Sequence, residues 1–188
     1  MEICVNEKDV ERDGNYLRIK ISDELMCKLN SMAKLSSLKP GQTFTDAEGM
    51  EYIVLYQAKE STGVLRKKLL DKDMEFGENN DWTQSEIRHY LNTEYDKHIS
   101  KMFGSDNIIR HTVDLLSLDG LADYDIVIDR VSLLTIDLYR KYRKVIGDNM
   151  DRWWWLATPD STPSGWSARG VRCVCDDGVV CCGDCGYS

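Results

Sequence analysis

The sequence predicts a domain of the α+β class, and three observations support this prediction. Strand-like and helix-like stretches are interspersed without the repeating β–α–β order of a parallel sheet. The sequence contains no internal repeat and no linker long enough to divide it. Its 188 residues, 42% hydrophobic and 30% charged, have an ordinary globular composition and suffice for one full domain with a small N-terminal extension.

The extension is predicted to contain one strand and one helix. Residues 15–21 alternate apolar and charged side chains, which is the period of a half-buried strand. Ser22 is a suitable N-cap for a helix that follows at once, and Leu25, Leu29 and Met32 would form its apolar face.

A β-hairpin is predicted next along the chain. Its strands would be residues 42–45 and 51–57, joined by a turn at residues 46–49. Residues 64–70 are predicted to form a third strand, and residues 71–81 a polar loop.

The clearest local signal is a second helix over residues 84–103. Thr83 and Glu86 have the spacing of a capping box, and Trp82 could pack on Ile87 as a hydrophobic staple. A third helix is predicted to start near Thr135 and to run towards Gly147, with Leu134 and Tyr139 in the same staple relation. Residues 115–120, which lie between these helices, are too short a stretch to classify.

Charge and hydropathy exclude several classes of partner. The net charge of −8, from 32 acidic and 24 basic residues, argues against nucleic acid and anionic membranes, because phosphate binding requires concentrated positive charge. No apolar run approaches the roughly 18–20 residues of a membrane span, so no membrane insertion is expected. The first nine residues are too charged for a secretory signal. We therefore expect a cytoplasmic protein.

No catalytic residues are predicted. His89 and His98 share the second helix but lie roughly 180° apart around it, so they cannot converge on one ion. The sequence contains no metalloprotease, nucleophile-elbow, P-loop or dinucleotide-binding motif. Cys4 and Cys27 have no candidate base nearby, and the acidic pair Asp176 and Asp177 precedes a glycine as in a hairpin turn.

Five of the seven cysteines fall within the last sixteen residues, and three interpretations of this cluster are open. A disulfide framework is the weaker one, because cytoplasmic thiols stay reduced. A structural zinc site could use Cys173, Cys175, Cys182 and Cys185, although their spacing departs from the usual pair of CxxC motifs. The third is that these are small side chains tolerated on a hairpin.

The C-terminal segment, residues 156–188, differs in composition from the rest of the chain. Lys, Glu, Gln and Met supply 34 of the first 155 residues, about 22%, but none of these 33. A segment of this length drawn from the same pool should contain about seven. Directly before it, Trp153–Trp155 form an aromatic run, and we expect at least two of these rings to pack in the core.

Several motifs, taken in order, resemble those of one family, DUF6273. Residues 82–92 are similar to its W-x-x-S-x-(I/L)-R-x-x-L-N helix, and residues 153–159 to its WWL strand. The remaining similar stretches are its opening hairpin, its strand-to-helix step and its V-x-x-V-x-x-x-G-x-V strand, at residues 38–55, 131–135 and 171–180. The resemblance covers about residues 36–188.

The resemblance implies a fold and a function. Members occur in gut Firmicutes and their phages, and some look like variable proteins of diversity-generating retroelements, with a C-type-lectin-like fold. If a phage encodes it, the protein would be virion-associated. It implies a C-type-lectin-like domain at residues 37–188, with two or three helices and a mixed, mainly antiparallel sheet. Residues 1–36 would be a strand–helix extension packed on this domain. Trp82, Arg88 and Trp153–Trp155 would belong to the scaffold.

On this resemblance, residues 157–188 would be a variable, non-enzymatic region that binds a protein or another macromolecule. No cofactor and no metal would be required. The expected ligand-binding residues are Asp160, Ser161, Thr162, Ser164, Trp166, Arg169, Arg172, Cys173, Cys175, Asp176, Cys181, Cys182, Asp184, Cys185 and Tyr187.

Retroelement diversification would also explain the composition of the C-terminal segment. It replaces adenines, so an AAC codon can come to encode Cys, Asp, Gly, Ser, Tyr or Arg, but never Lys, Glu, Gln, Met or Trp. Trp166 would then be templated or native. A less favoured enzymatic alternative is an oxidase resembling the formylglycine-generating enzyme, which shares the lectin-like fold and uses a cysteine pair.

Overall fold

The computed structural model describes residues 10–13, 16–19, 35–147 and 151–187, and it divides the chain into units at residues 1–38 and 39–188. In the first unit, β1 (Val10–Asp13) pairs antiparallel with β2 (Tyr16–Ile19). Strand β2 lies within the predicted strand at residues 15–21. The helix predicted to follow Ser22 lies outside the described residues.

The second unit is α+β, as predicted, with antiparallel strand pairs throughout its described part. Its first sheet has the order β3 (Thr43–Thr45), β4 (Glu51–Gln57), β5 (Thr62–Arg66). The predicted hairpin is thereby confirmed. Strand β5 ends four residues before the predicted end of the third strand. Its last residue, Arg66, pairs with Tyr52, and β4 begins only one residue before Tyr52, so β4 offers almost no further partner residues.

The second helix forms in three consecutive parts. These are α1 (Glu86–Tyr90), a π-helical turn (Leu91–Tyr95) and α2 (Asp96–Phe103). The predicted capping box is wrong, because Trp82–Gln84 form a separate 3-10 turn and Ser85 becomes the N-cap. The Ser85 hydroxyl accepts a hydrogen bond from the Arg88 N–H at 3.0 Å.

A second hairpin and a third helix follow. Strands β6 (His111–Asp114) and β7 (Ile126–Asp129) pair with each other, and the sequence analysis did not predict them. Helix α3 (Ile136–Ile146) is confirmed, including its cap. The Thr135 hydroxyl accepts from the Leu138 N–H, and Gly147, with φ at 78°, follows the last helical residue.

The last sheet contains the C-terminal segment. Its order is β10 (Val180–Asp184), β9 (Gly170–Val174), β8 (Trp154–Pro159), with antiparallel pairs throughout. A turn containing Gly178 joins β9 to β10, with a φ of 77° that favours glycine. This is the turn that the Asp-Asp-Gly sequence predicts.

Strand β8 lies between two apolar clusters because successive side chains of a strand point to opposite faces. Trp155 and Ala157 belong to one cluster, together with Trp82 and Phe76. Leu156 belongs to the other, which also contains residues of β4 and α3. Trp155 is buried and Trp154 is half-buried, as expected for two of the three rings, whereas Trp153 is exposed. None of the helices in the described residues is long and apolar enough to cross a membrane.

Candidate functional site

We name residues 82–92 the motif helix. Side chains of this segment attach it to neighbouring elements of the fold. The Trp82 indole donates to Asp129 Oδ2 at 2.8 Å, and Arg88 Nη2 donates to Asp129 Oδ1 at 2.8 Å. Asp129 is buried at the end of β7. This carboxylate therefore accepts hydrogen bonds from two side chains of the motif helix, and it joins α1 to the second hairpin.

Asn92, in the π-helical turn, makes a second connection of the same kind. Its amide nitrogen donates to the Val131 carbonyl at 2.8 Å, and its carbonyl oxygen accepts from the Arg130 N–H at 3.1 Å. The polar residues Arg88 and Asn92 of the motif thus hold scaffold elements together.

The loop between β8 and β9 is held by one buried amide, that of Asn80. Its nitrogen donates to the carbonyls of Ser161 at 2.9 Å and Gly170 at 2.8 Å, so one side chain fixes both ends of the loop. Its oxygen accepts from the Tyr124 hydroxyl at 2.6 Å, and its backbone N–H donates to the Ala168 carbonyl. From the sequence, Asn80 could be assigned only to a polar loop. Its partners lie 81 and 90 positions away, so no local pattern indicates these contacts.

Two carboxylates hold the same loop from another side. Asp123 accepts from the Ser164 N–H at 2.9 Å, and Asp119 accepts from the Ser161 hydroxyl at 2.6 Å. The hydrogen bonds lower the pKa of both groups: for Asp123 the Ser164 N–H is the main cause, and for Asp119 the hydroxyls of Ser117 and then Ser161. Both side chains are therefore ionised acceptors at neutral pH.

The remainder of the segment is held at two further points. The Tyr139 hydroxyl of α3 donates to the Gly178 carbonyl at 2.8 Å, and Arg143 Nη1 donates to the same carbonyl. Further on, the Cys185 carbonyl accepts from the N–H groups of Phe76 at 3.0 Å and Gly77 at 3.2 Å. In both places the group that is held is a backbone oxygen of the C-terminal segment.

The predicted ligand-binding residues differ widely in exposure. Trp166 and Tyr187 are 70% and 64% exposed. The other exposed members are Ser164, Arg169, Asp176 and Cys182. Half-buried members are Asp160, Arg172, Cys175, Cys181 and Asp184.

Four predicted residues, by contrast, lie inside the domain. Ser161, Thr162, Cys173 and Cys185 are buried, so they do not belong to an exposed face. Ser161 is turned towards Asp119, while Cys173 and Cys185 pack in the cluster around Trp82 and Trp155. Composition could not distinguish them, because small side chains suit both a surface and a tightly packed interior.

Two ion pairs connect side chains of the last sheet near the start of β9. Arg169 contacts both oxygens of the Asp184 carboxylate, at 2.9 and 2.6 Å, and this contact lowers the pKa of Asp184. Arg172 donates to Asp160 at 2.7 Å, and both side chains are largely covered. The exposed Cys182 lies beside the second pair.

A groove of about 910 Å³ lies along the β9–β10 hairpin. Trp153 and Arg152 line it from the chain before β8. The C-terminal segment lines the remainder, with residues that include Cys175, Asp176, Cys181 and Tyr187. The hairpin-groove, as we name this feature, is therefore built mostly from predicted ligand-binding residues.

The cysteines do not form the zinc site that the sequence left open. Cys173 and Cys181 are joined by a disulfide, and Cys175, Cys182 and Cys185 are free thiols. Cys182 lies beside Asp160 and Cys185 lies in the core, so the four candidate ligands do not converge. In the described parts of the chain, no three His, Cys, Asp or Glu side chains are arranged to hold a metal ion.

Comparisons with protein-family models, with curated proteins and with solved structures found no match. The assignment of function therefore depends on the residues and their geometry.

Proposed function

We propose that the second unit is a C-type-lectin-like display domain that binds a protein or another macromolecule, without catalysis, through exposed side chains of residues 157–187. We further propose that a retroelement diversifies this region. The display face consists of Trp166, Arg169, Asp176, Cys182 and Tyr187, with the hairpin-groove beside them.

One observation carries the proposal: several anchors of the C-terminal segment hold backbone atoms. Asn80 binds two carbonyls, Asp123 binds an N–H, Tyr139 binds a carbonyl and the N–H groups of Phe76 and Gly77 bind another. Backbone groups are present whatever the side chain is. Such a frame tolerates side-chain exchange, which is what a diversified recognition surface requires.

The residues on the display face suit recognition. Tyr and Trp provide large contact areas at low cost in conformational entropy, whereas short polar residues adapt their hydrogen bonds. Arg169 and Asp184 supply a charged pair at the rim. The missing Lys, Glu, Gln and Met in residues 156–188 agree with the residues that diversified AAC codons can encode.

The diversification can be tested on the DNA that encodes the chain. We expect a nearby template repeat whose differences from codons 157–188 are confined to template adenines. Codons for the buried Ser161, Thr162, Cys173 and Cys185 should be less variable among copies than those for the exposed Arg169 or Tyr187. Differences scattered over all four bases would contradict diversification by a retroelement.

The separation of frame and face can be tested on the protein. Asn80→Ala should destabilise the domain by about 2–3 kcal/mol, because two buried carbonyls and the Tyr124 hydroxyl lose their partner. The triple variant Trp166→Ser, Asp176→Ser, Tyr187→Ser should change stability by at most about 0.5 kcal/mol per site, since all three side chains are exposed.

Chemical denaturation of the two variants and the wild type would measure both effects. If the triple variant unfolds while Asn80→Ala is tolerated, the C-terminal side chains are structural and the display function is wrong.

A further inference from the structure

Three cysteine sulfurs meet on one face of the β9–β10 hairpin. Cys173 and Cys181 are joined by a disulfide, and the free thiol of Cys175 lies 2.8 Å from the sulfur of Cys181. We propose that these residues form a thiol–disulfide interchange site, in which Cys181 bonds alternately to Cys173 and Cys175. This site does not depend on the proposed display function.

The register of the hairpin explains why three sulfurs can meet. Cys173 and Cys181 lie directly opposite each other across the antiparallel pair. Cys175 is two residues beyond Cys173 and therefore points to the same face of the sheet. A diagonal neighbour on one face of such a pair is still within side-chain reach, so Cys181 has two possible partners.

The exchange requires no external oxidant. The Cys175 thiol loses its proton to solvent, and its thiolate attacks the sulfur of Cys181. The Cys175–Cys181 bond forms while the Cys173–Cys181 bond breaks, and Cys173 leaves as a thiolate that takes a proton from solvent. One disulfide and one thiol are present before and after the step, so the number of electrons is unchanged.

The two forms differ in where the free thiol lies. With Cys173 bonded, the thiol is that of the half-buried Cys175, in the wall of the hairpin-groove. With Cys175 bonded, the thiol is that of Cys173, which is 3% exposed and packs in the core. The interchange therefore presents a free thiol to the hairpin-groove in one form and withdraws it in the other.

Cys182, another free cysteine of the same hairpin, provides a control. Cys182 is adjacent to Cys181 along β10, so its side chain points to the opposite face, where it lies beside Asp160 and Arg172. Cys182→Ser removes a thiol of the same hairpin without touching the three sulfurs, and should leave the interchange unchanged.

Differential alkylation tests the proposal. The full chain is equilibrated with a mixture of reduced and oxidised glutathione and quenched with acid. Its free thiols are then labelled with one alkylating reagent, its disulfides reduced and the released thiols labelled with a second. Cleavage after Arg172 yields a peptide with all five C-terminal cysteines, and fragmentation mass spectrometry assigns each label.

In the wild type we expect both Cys173 and Cys175 to carry a mixture of the two labels, with complementary fractions. In Cys173→Ser, the disulfide label should move entirely to Cys175 and Cys181. In Cys175→Ser, the free-thiol label on Cys173 should be lost. The Cys182→Ser control should reproduce the wild-type fractions.

Two results would each overturn the proposal. One is a wild type in which Cys175 carries only the free-thiol label at every glutathione ratio. The other is a Cys173→Ser variant, shown by its thermal melt to be folded, in which Cys175 and Cys181 both remain unbonded.

Discussion

The motif helix and the C-terminal segment are both rich in polar contacts, yet they are held in opposite ways. In the motif helix, the side chains of Trp82, Arg88 and Asn92 reach out to other elements. In the C-terminal segment, side chains from elsewhere, such as Asn80 and Tyr139, reach in to its backbone. Residue identity is therefore constrained in the first region and much less so at exposed positions of the second.

The difference has a consequence for both regions. Substitution in the motif helix removes a contact, whereas substitution on the display face leaves the contacts that fix the backbone. Residues of the same type occur in both regions, so the comparison can be tested with matched pairs of variants.

The two tryptophans should give the largest contrast. Trp82→Ala should cost about 3–5 kcal/mol, because the ring is fully buried and its indole N–H is bonded to Asp129. Trp166→Ala should stay within about 0.5 kcal/mol, since that ring is 70% exposed. Urea unfolding measures both changes. Similar losses in the two variants would remove the distinction between the regions.

The two Arg–Asp pairs should give the next contrast. Arg88→Met leaves the buried carboxylate of Asp129 without its cation and should cost about 3 kcal/mol. Arg169→Met breaks an exposed pair with comparable distances and should change stability much less, because solvent screens this pair. The free energy of unfolding, measured at two salt concentrations, would show a salt-sensitive contribution for Arg169 only. A loss for Arg169→Met as large as that for Arg88→Met would assign the segment to the scaffold.

The smallest effect concerns pH. His111 lies opposite Asp129 in the second hairpin, and burial lowers the pKa of its imidazole even though the carboxylate opposes this shift. The unfolded chain then binds more protons than the folded one just below pH 6.5, so stability should fall as pH decreases from about 6.5 towards the lowered pKa. Above pH 7 the histidine should have no effect.

Thermal melts at pH 7.5 and 5.5 would measure this loss in the wild type and its reduction in His111→Gln. His89 and His98 are present in both proteins, so their contributions cancel. Arg169 lowers the pKa of the Asp184 carboxylate, so Asp184 does not change its charge between pH 7.5 and 5.5. An equal pH dependence in the variant would contradict the role of His111.

Local signals in the sequence predicted the elements that local interactions define. The N-cap at Thr135, the glycine after α3 and the glycine of the β9–β10 turn all act within a few residues. The start of α1 was misplaced because Thr83 and Ser85 are both good caps. Only the preceding 3-10 turn, itself capped by Asp81, decides between them.

The candidate site is inferred from the composition of residues 156–188 and from the family resemblance. Which of its residues are buried depends on distant partners, as when Asp119 binds Ser161 or Phe76 binds the Cys185 carbonyl. The second hairpin was missed for a related reason: two four-residue strands separated by an eleven-residue connection give no periodic signal.

The hydrogen bonds of Asn80 to Ser161 and Gly170 bear on insertions and deletions in the loop between β8 and β9. The amide fixes the two points between which residues 162–169 form a loop, so the ends stay in place however long the intervening chain becomes. Doubling the length of a flexible loop adds only about 0.6 kcal/mol to its closure entropy. We therefore expect the domain to accept a longer chain between Ser164 and Ala168, where the contacts with Asp123 and Asn80 on either side are kept, and we expect a grafted peptide to be tolerated there.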